Sequence, residues 1–121
     1  MIIREEGPKR ALLQALANPE ASKILASTTL KPKSVMDLIS ECGIPHTSAY
    51  RLVNELKEQG LLVVEKIMLS DDGKKYMLYR SSFRSVTVKF ESGSIEVDAI
   101  PNRDVVEKAL RLFYSLRGRG E

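Results

Sequence analysis

The sequence offers few residues with the potential for catalysis or metal binding. His46 is the single histidine and Cys42 the single cysteine of the 121-residue chain, so one subunit cannot form an intramolecular disulfide or assemble any of the usual Cys/His zinc sets. The sequence contains no nucleophile elbow and no phosphate-binding glycine loop, and acid–base or nucleophilic chemistry needs positioned groups of this kind. We therefore expect no enzymatic activity, no metal and no cofactor, with Cys42 as a small buried side chain.

The distribution of charge indicates a different chemistry, the binding of phosphate. The chain carries a formal net charge of +3, and residues 61–90 hold six Lys and Arg against three Asp and Glu. A locally basic segment attracts the phosphates of nucleic acids, although mild basicity also serves solubility. The charge distribution is therefore compatible with nucleic-acid binding and does not require it.

Length and composition fit one soluble globular domain. Hydrophobic residues make up 43% of the chain and charged residues 29%. The longest uninterrupted apolar run covers residues 61–64, far short of the roughly 20 residues that cross a bilayer. The first residues lack the apolar stretch of a signal peptide. We expect a cytoplasmic protein without membrane contact.

Apolar residues at three- and four-residue spacing predict four helices before residue 60. The first begins at Pro8, the second is capped by Asn18, and the third runs from a Ser34 cap to a left-handed stop at Gly43. The fourth helix ends at Gly60 and buries one apolar face. Two short helices joined by a Gly-containing turn, the second with exposed polar residues, are typical of a helix-turn-helix.

The start of the fourth helix has an unusual sequence. Pro45 occupies the position where a capping Ser or Thr is expected, and a proline side chain cannot accept a hydrogen bond from the backbone. Thr47 is the next residue able to cap. We therefore predict that Thr47 caps this helix and that the helix starts two residues later.

Beyond residue 60 the composition favours strands. Residues 61–70 and 74–80 flank the turn signal Asp71–Gly73, and alternating apolar residues before and after a second turn predict another hairpin over residues 84–100. Asn102 then caps a last helix. The apolar stripe of that helix consists of Val106, Ala109, Leu110, Phe113 and Leu116.

The region from about residue 11 to residue 80 resembles the winged helix-turn-helix transcriptional regulators of the ArsR type. The string of residues that carries the resemblance follows an Ala15–Pro19 turn and comprises Gly43, Ile44, Thr47, Ser48, Arg51, Val53, Leu56, Gly60 and Leu61. The second hairpin is similar to one found in some archaeal winged-helix regulators. The resemblance implies an α+β fold, with a three-helix core, a β-hairpin wing over residues 61–80, an extra hairpin and a C-terminal dimerisation helix.

The resemblance also implies which residues meet double-stranded DNA. The helix from about residue 46 to residue 59 would enter the major groove, and the wing would touch the backbone or the minor groove. Arg51 suits a bidentate contact to guanine and Asn54 one to adenine, whereas hydroxyl groups suit phosphates. The implied DNA-binding residues are His46, Thr47, Ser48, Tyr50, Arg51, Asn54, Lys74 and Lys75.

Several of these residues have an alternative interpretation that the sequence satisfies equally. Arg51 can pair with Glu55 one helical turn on, His46 can be a solvated polar residue, and Tyr50 can cover a hydrophobic edge. Lys74 and Lys75 can belong to a soluble turn in which nearby aspartates balance their charge. Metal sensing is not expected, because the third helix offers no thiol before Cys42.

The C-terminal stripe indicates a subunit interface, because its spacing fits a two-helix seam. We expect a homodimer in which the first helix contributes Leu12 and Leu16 to that seam. We expect residues 1–82 to form the DNA-binding part and residues 83–121 the extra hairpin and dimerisation helix, packed together as a single domain. A two-fold dimer would read an inverted repeat, and the family resemblance implies repression.

Two competing hypotheses stay open. The winged helix can serve as a protein-interaction module in a transcription or replication assembly, which predicts an exposed apolar face and weak, sequence-independent DNA binding. Alternatively, the second hairpin and last helix can enclose a small-ligand pocket around Phe83, Phe90 or Phe113, which would make the protein a sensor. No feature of the sequence indicates a particular effector.

Overall fold

The computed structural model describes residues 1–105 and Glu107. Four helices are followed by two antiparallel hairpins, the order predicted from the sequence. The predicted C-terminal stripe, from Val106 through Ala109, Leu110 and Phe113 to Leu116, lies outside the described residues. The elements are α1 (Glu6–Ala17), α2 (Pro19–Ser27), α3 (Val35–Cys42), α4 (His46–Glu58), β1 (Leu62–Leu69), β2 (Lys75–Ser81), β3 (Phe83–Glu91) and β4 (Ser94–Pro101).

Local capping explains where α2 and α3 begin. The side chain of Asn18 accepts hydrogen bonds from the backbone N–H groups of Glu20 and Ala21 at 3.0 and 3.1 Å. At α3 the Ser34 hydroxyl accepts from the Asp37 N–H, and the Asp37 carboxylate accepts from the Ser34 N–H, which completes a capping box. Gly43 ends α3 with φ of 67°. These three predictions are confirmed.

The predicted cap of α4 is wrong. The helix begins at His46, directly after Pro45, and no side chain caps it. The proline ring holds φ at −59°, and the Pro45 carbonyl accepts from the N–H groups of Ser48 and Ala49 at 3.1 and 3.0 Å. Because backbone geometry alone starts the helix here, Thr47 lies within the first turn and does not cap it.

The wing is an antiparallel hairpin that is joined by a short bridge to the residues just before α3. β1 pairs with β2 from Leu62↔Ser81 to Leu69↔Lys75, with a register shift between Val64 and Lys66 that marks a bulge at Glu65. Lys33, just before α3, exchanges two backbone hydrogen bonds with Tyr79 of 3.0 and 2.7 Å. The wing therefore adjoins the start of α3.

The second hairpin shares the core of the helices. β3 pairs with β4 from Phe83↔Pro101 to Glu91↔Ser94. Val97 of β4 is fully buried in the same apolar cluster as Leu12, Ile24 and Leu38. The N-terminal residues add to the outer edge of β4, where Ile3 N–H donates to Val97 and Ala99 N–H donates to Met1. No pattern in the sequence predicts this pairing.

The four helices and the first hairpin together form a winged helix-turn-helix, with α3 and α4 as the helix pair and β1–β2 as the wing. The described part of the chain contains no helix of the length and apolarity that crossing a membrane requires. Leu12, predicted to reach a second chain, is 1% exposed. It packs in the core of its own chain, so we remove it from the predicted interface, whereas Leu16 is exposed.

Candidate nucleic-acid interface

The outer face of α4 is polar and uncovered. Its apolar residues Ala49, Leu52, Val53 and Leu56 are buried in the core, and that burial orients the helix because side chains three and four residues apart share a face. The opposite face consists of exposed residues with hydrogen-bonding side chains. These are His46, Thr47, Tyr50, Arg51 and Asn54.

Arg51 makes a contact that water or DNA can replace. Its guanidinium donates to the Glu55 carboxylate at 3.1 Å, one turn along α4, and both side chains are more than half exposed. Exposed pairs at this spacing contribute only about 0.3–0.5 kcal/mol. Pairing of Arg51 with Glu55 is therefore compatible with a contact between Arg51 and DNA, because breaking the ion pair costs little free energy.

Ser48 differs from the other predicted DNA-binding residues of α4. It is half-buried, and its hydroxyl lies 3.2 Å from the Glu20 carboxylate of α2 and 3.2 Å from the Pro45 carbonyl. These contacts join the beginnings of α2 and α4. Ser48 is thus placed to hold α4 against α2 rather than to project from the exposed face.

His46 and Tyr50 form an aromatic pair at the start of α4. Their ring centroids lie 5.5 Å apart with the planes tilted by 54°. Both side chains are exposed, Tyr50 by 46%. Tyr50 therefore does not cover a fully buried edge, and its ring and hydroxyl are available at the surface.

The wing tip combines a tight turn with opposing charges. Gly73 has φ of 81°, a left-handed conformation suited to glycine. The Ser70 hydroxyl donates to the Asp72 carboxylate, and this hydrogen bond is the main reason why the pKa of Asp72 is lowered. Asp72 therefore keeps its negative charge 3.9 Å from the Lys74 ammonium, whose side chain is 85% exposed. Lys75 is exposed at the start of β2.

An open cleft of about 750 Å³ connects the wing to the helix pair. Tyr50 of α4 lines it together with Lys74 and Lys75 of the wing, so the structure brings three predicted site residues to one surface. Met36 of α3 and Tyr76 of β2 also line the cleft and are exposed. Neither residue was predicted from the sequence. The available signals are the position of Met36 two residues after the Ser34 cap and the position of Tyr76 directly after two lysines.

Arg80 belongs to the interior, although it is one of the six basic residues of the segment 61–90. Its guanidinium donates to Glu65 at 3.0 Å and to the Thr29 carbonyl at 3.0 Å, and the two charged side chains are 8% and 2% exposed. The bulge at Glu65 lets this carboxylate share the buried side of the wing. Asn102 donates to the same Thr29 carbonyl at 2.9 Å and to Ser81.

The predicted ligand pocket is only partly present in the described residues. Phe83 lines a cavity of about 200 Å³ between α1, α2 and β3, which is smaller than the roughly 300–1,000 Å³ of typical small-molecule sites. Phe90 is 73% exposed and does not line this cavity. Phe113 lies outside the described residues. The described residues also contain no cluster of three metal-ligating side chains.

The comparisons with known proteins give similarity of shape at low sequence identity. No family model and no curated protein matches the chain. The structure of HlyU from Vibrio cholerae N16961 is similar at 16% identity, with a TM-score of 0.44 and coverage of 93% of this chain and 97% of that chain. An ArsR family transcriptional regulator is similar at 10% identity, with a TM-score of 0.44 and coverage of 95% and 92%. Similarities of this size establish neither a shared family nor a shared activity.

Proposed function

We propose that this protein is a DNA-binding transcriptional regulator that reads double-stranded DNA with α4 and anchors the duplex with its wing. The observation that carries the proposal is that Tyr50, on the exposed polar face of α4, lines the same cleft as the two lysines of the wing tip. A helix with a solvent-exposed polar face of this kind fits the major groove, and a basic hairpin beside it reaches the neighbouring phosphates.

Specificity and affinity have different sources in this proposal. Arg51 and Asn54 project from the outer face of α4 and carry the side chains best suited to base edges. Thr47, Lys74 and Lys75 supply backbone contacts, which fix position without reading sequence. The exposed charges of α4 cancel, since Glu55 and Glu58 oppose Arg51 and Lys57. The exposed charges of the wing sum to +1, with Lys66, Lys74 and Lys75 against Asp71 and Asp72.

The regulator acts as a homodimer in this proposal. Leu16 on α1 is exposed, and the sequence predicts an apolar stripe from Val106 to Leu116 that a two-helix seam would bury. Residues 1–82 would then read DNA while residues 83–121 join two copies. We propose repression by blocking polymerase access, with any effector acting through the separation of the two α4 helices.

A fluorescence-anisotropy titration against the protein's own upstream DNA and a scrambled duplex tests the proposal. We expect a preference of about 10³-fold or more for the upstream DNA. Arg51→Ala should reduce binding to that DNA by about 5- to 150-fold while leaving the scrambled duplex nearly unchanged, because one bidentate base contact contributes about 1–3 kcal/mol.

Two matched variants complete this titration. Arg4→Ala removes the same charge from the exposed N-terminal segment and should leave the preference intact. Lys75→Ala should weaken binding to both duplexes and lower the slope of log affinity against log salt by about 0.9, the value for one phosphate contact. Equal, weak binding of both duplexes by the wild-type protein, followed by failure of genome-wide site selection, would contradict the proposal.

A second candidate function is a protein-interaction module, and one observation favours it. The β3–β4 hairpin carries exposed apolar side chains, with Phe90 73% and Val88 46% exposed. Such surfaces commonly mark protein contacts. In that case DNA binding would be weak and insensitive to Arg51→Ala, which is the second outcome of the same titration.

A further inference from the structure

The cavity between α1, α2 and β3 combines an apolar lining with one arginine. Its volume of about 200 Å³ is below the roughly 300–1,000 Å³ of sites for drug-sized ligands, so it suits a molecule with a small apolar body. Arg84 carries the only charge among the described residues that line it. The large apolar side chains of the lining are those of Leu12, Leu16, Leu25, Leu61, Phe83 and Val86.

Arg84 reaches this cavity because β3 is irregular at that position. Phe83 pairs with Pro101 and Ser85 pairs with Ile100, so that Arg84 is an extra residue in β3, as in a β-bulge. In a regular strand, neighbouring side chains point to opposite faces of the sheet. Here Phe83, Arg84 and Ser85 all line the same cavity. The bulge therefore adds a cation to a side of the hairpin that regular alternation would leave apolar.

The guanidinium of Arg84 has no partner in the described part of the chain. It forms no hydrogen bond or ion pair with any residue that the structure describes, and no Asp or Glu is among the described residues that line the cavity. The hydroxyl groups of Ser22 on α2 and Ser85 on β3 lie along the same lining. A guanidinium binds a carboxylate through two parallel hydrogen bonds. The cavity is therefore complementary to a small anion with an apolar body.

We propose that this cavity binds a small organic acid, with its carboxylate at Arg84 and its apolar body against the leucines. A carboxylate fits better than a phosphate, because a phosphate group carries about 1.5 to 2 negative charges at neutral pH and one arginine balances only one. The cavity wall is held in place without the ligand. The carbonyl of Thr29 accepts from Arg80 and Asn102, and that of Ser81 also accepts from Asn102, as expected of a largely preformed site.

Nuclear magnetic resonance of the full chain with labelled leucine methyl groups tests this proposal, with benzoate and hexanoate as probes. We expect both acids to shift the methyl signals of Leu16 and Leu25, which line the cavity, and not those of Leu69 on the wing. Benzamide, which is neutral, and phenyl phosphate should each bind at least about 10-fold more weakly than benzoate. Absence of shifts with both acids at about 10 mM would overturn the proposal, as would tighter binding of phenyl phosphate.

Three variants locate the site. Arg84→Gln should weaken benzoate binding by about 10-fold or more, because it removes the charge-assisted hydrogen bonds. Lys89→Gln is the matched control, since it removes a charge from an exposed position of the same strand outside the cavity lining, and it should leave benzoate binding unchanged. Ala26→Phe fills the cavity from an exposed position of α2 and should abolish binding while keeping Arg84.

Two results with these variants would contradict the proposal. If Arg84→Gln binds benzoate as well as Lys89→Gln does, the arginine does not hold the carboxylate. If Ala26→Phe binds benzoate like the wild-type chain, the ligand lies elsewhere. Thermal unfolding confirms that each variant is folded. The test contains no DNA, so its failure would leave the proposed DNA binding unaffected, and a chain that binds no DNA can still pass it.

Discussion

At the scale of single residues, Arg80 joins three parts of the chain. It links β2 to the bulge of β1 through Glu65, and it shares the Thr29 carbonyl at the end of α2 with Asn102. A buried ion pair of this kind adds little stability compared with apolar residues of the same shape, but breaking it by removing one partner is costly. The ion pair with Glu65 joins the two strands of the wing, whereas the hydrogen bond to Thr29 joins the wing to the end of α2.

We predict that Arg80→Met lowers the free energy of unfolding by about 3–5 kcal/mol, because it leaves the Glu65 carboxylate in the interior without this guanidinium. Urea denaturation monitored by circular dichroism measures the change. Lys66→Met is the control on the exposed part of the same wing and should stay within about 0.5 kcal/mol of wild type. The double variant Arg80→Met/Glu65→Met should regain most of the loss, and equal stability of Arg80→Met and wild type would show that the pair is not buried in solution.

At the scale of elements, α3 and α4 begin by different means. α3 begins with reciprocal side-chain hydrogen bonds between Ser34 and Asp37, whereas α4 begins after Pro45 with backbone bonds alone. This difference bears on the proposed function, because the first turn of α4 lies closest to the DNA in the proposed complex. Thr47 has no capping task there, so its hydroxyl is available for phosphate.

A pair of alanine variants tests this difference. Ser34→Ala should lower the free energy of unfolding by about 1 kcal/mol, the usual cost of removing a helix cap. Thr47→Ala should change it by less than about 0.5 kcal/mol, since Thr47 lies exposed inside the first turn. Chemical denaturation of both variants at the same pH measures the difference. A loss for Thr47→Ala equal to that for Ser34→Ala would mean that Thr47 caps α4 in solution.

At the scale of the whole molecule, the proposed dimer fixes the geometry of its DNA site. Two chains related by a two-fold axis present two α4 helices to the same face of a duplex when these lie about 34 Å apart, one helical turn. The extra hairpin and the C-terminal stripe set that separation in the proposed dimer. The exposed wing lies next to α4 in each chain and adds a contact outside each half-site.

We predict that binding depends on the phase of the two half-sites. Inserting five base pairs between them should lower affinity to that of a single half-site, because the second α4 then faces the wrong side of the duplex. Inserting ten base pairs restores the phase but lengthens the separation, and should recover little unless the DNA bends. Footprinting on the three duplexes measures this. Affinity that is indifferent to the five-base-pair insertion would indicate that each chain binds alone.

The sequence by itself determined the features that depend on interactions between residues close together along the chain. Asn18 and Ser34 cap their helices with hydrogen bonds to residues two or three positions away, and Gly43 ends α3 because a left-handed residue is needed there. Composition and a turn signal predict the first hairpin, and alternation of apolar residues predicts the second, since the pleat repeats every two residues. The exposed polar face of α4 also followed from helical spacing.

Only the tertiary structure decided the features that depend on residues distant in sequence. Arg80 is buried because a bulge 15 residues earlier brings Glu65 to it, and Leu12 is a core residue because β4 closes the apolar cluster over which α1 lies. The pairing of Met1–Ile3 with β4 joins segments almost 100 residues apart. The start of α4 directly after Pro45 differs from the prediction for a local reason, because backbone geometry replaces the expected side-chain cap. Short-range hydrogen bonds and periodicity can be predicted from the sequence. The burial of side chains and the pairing of strands depend on which surfaces of distant segments meet.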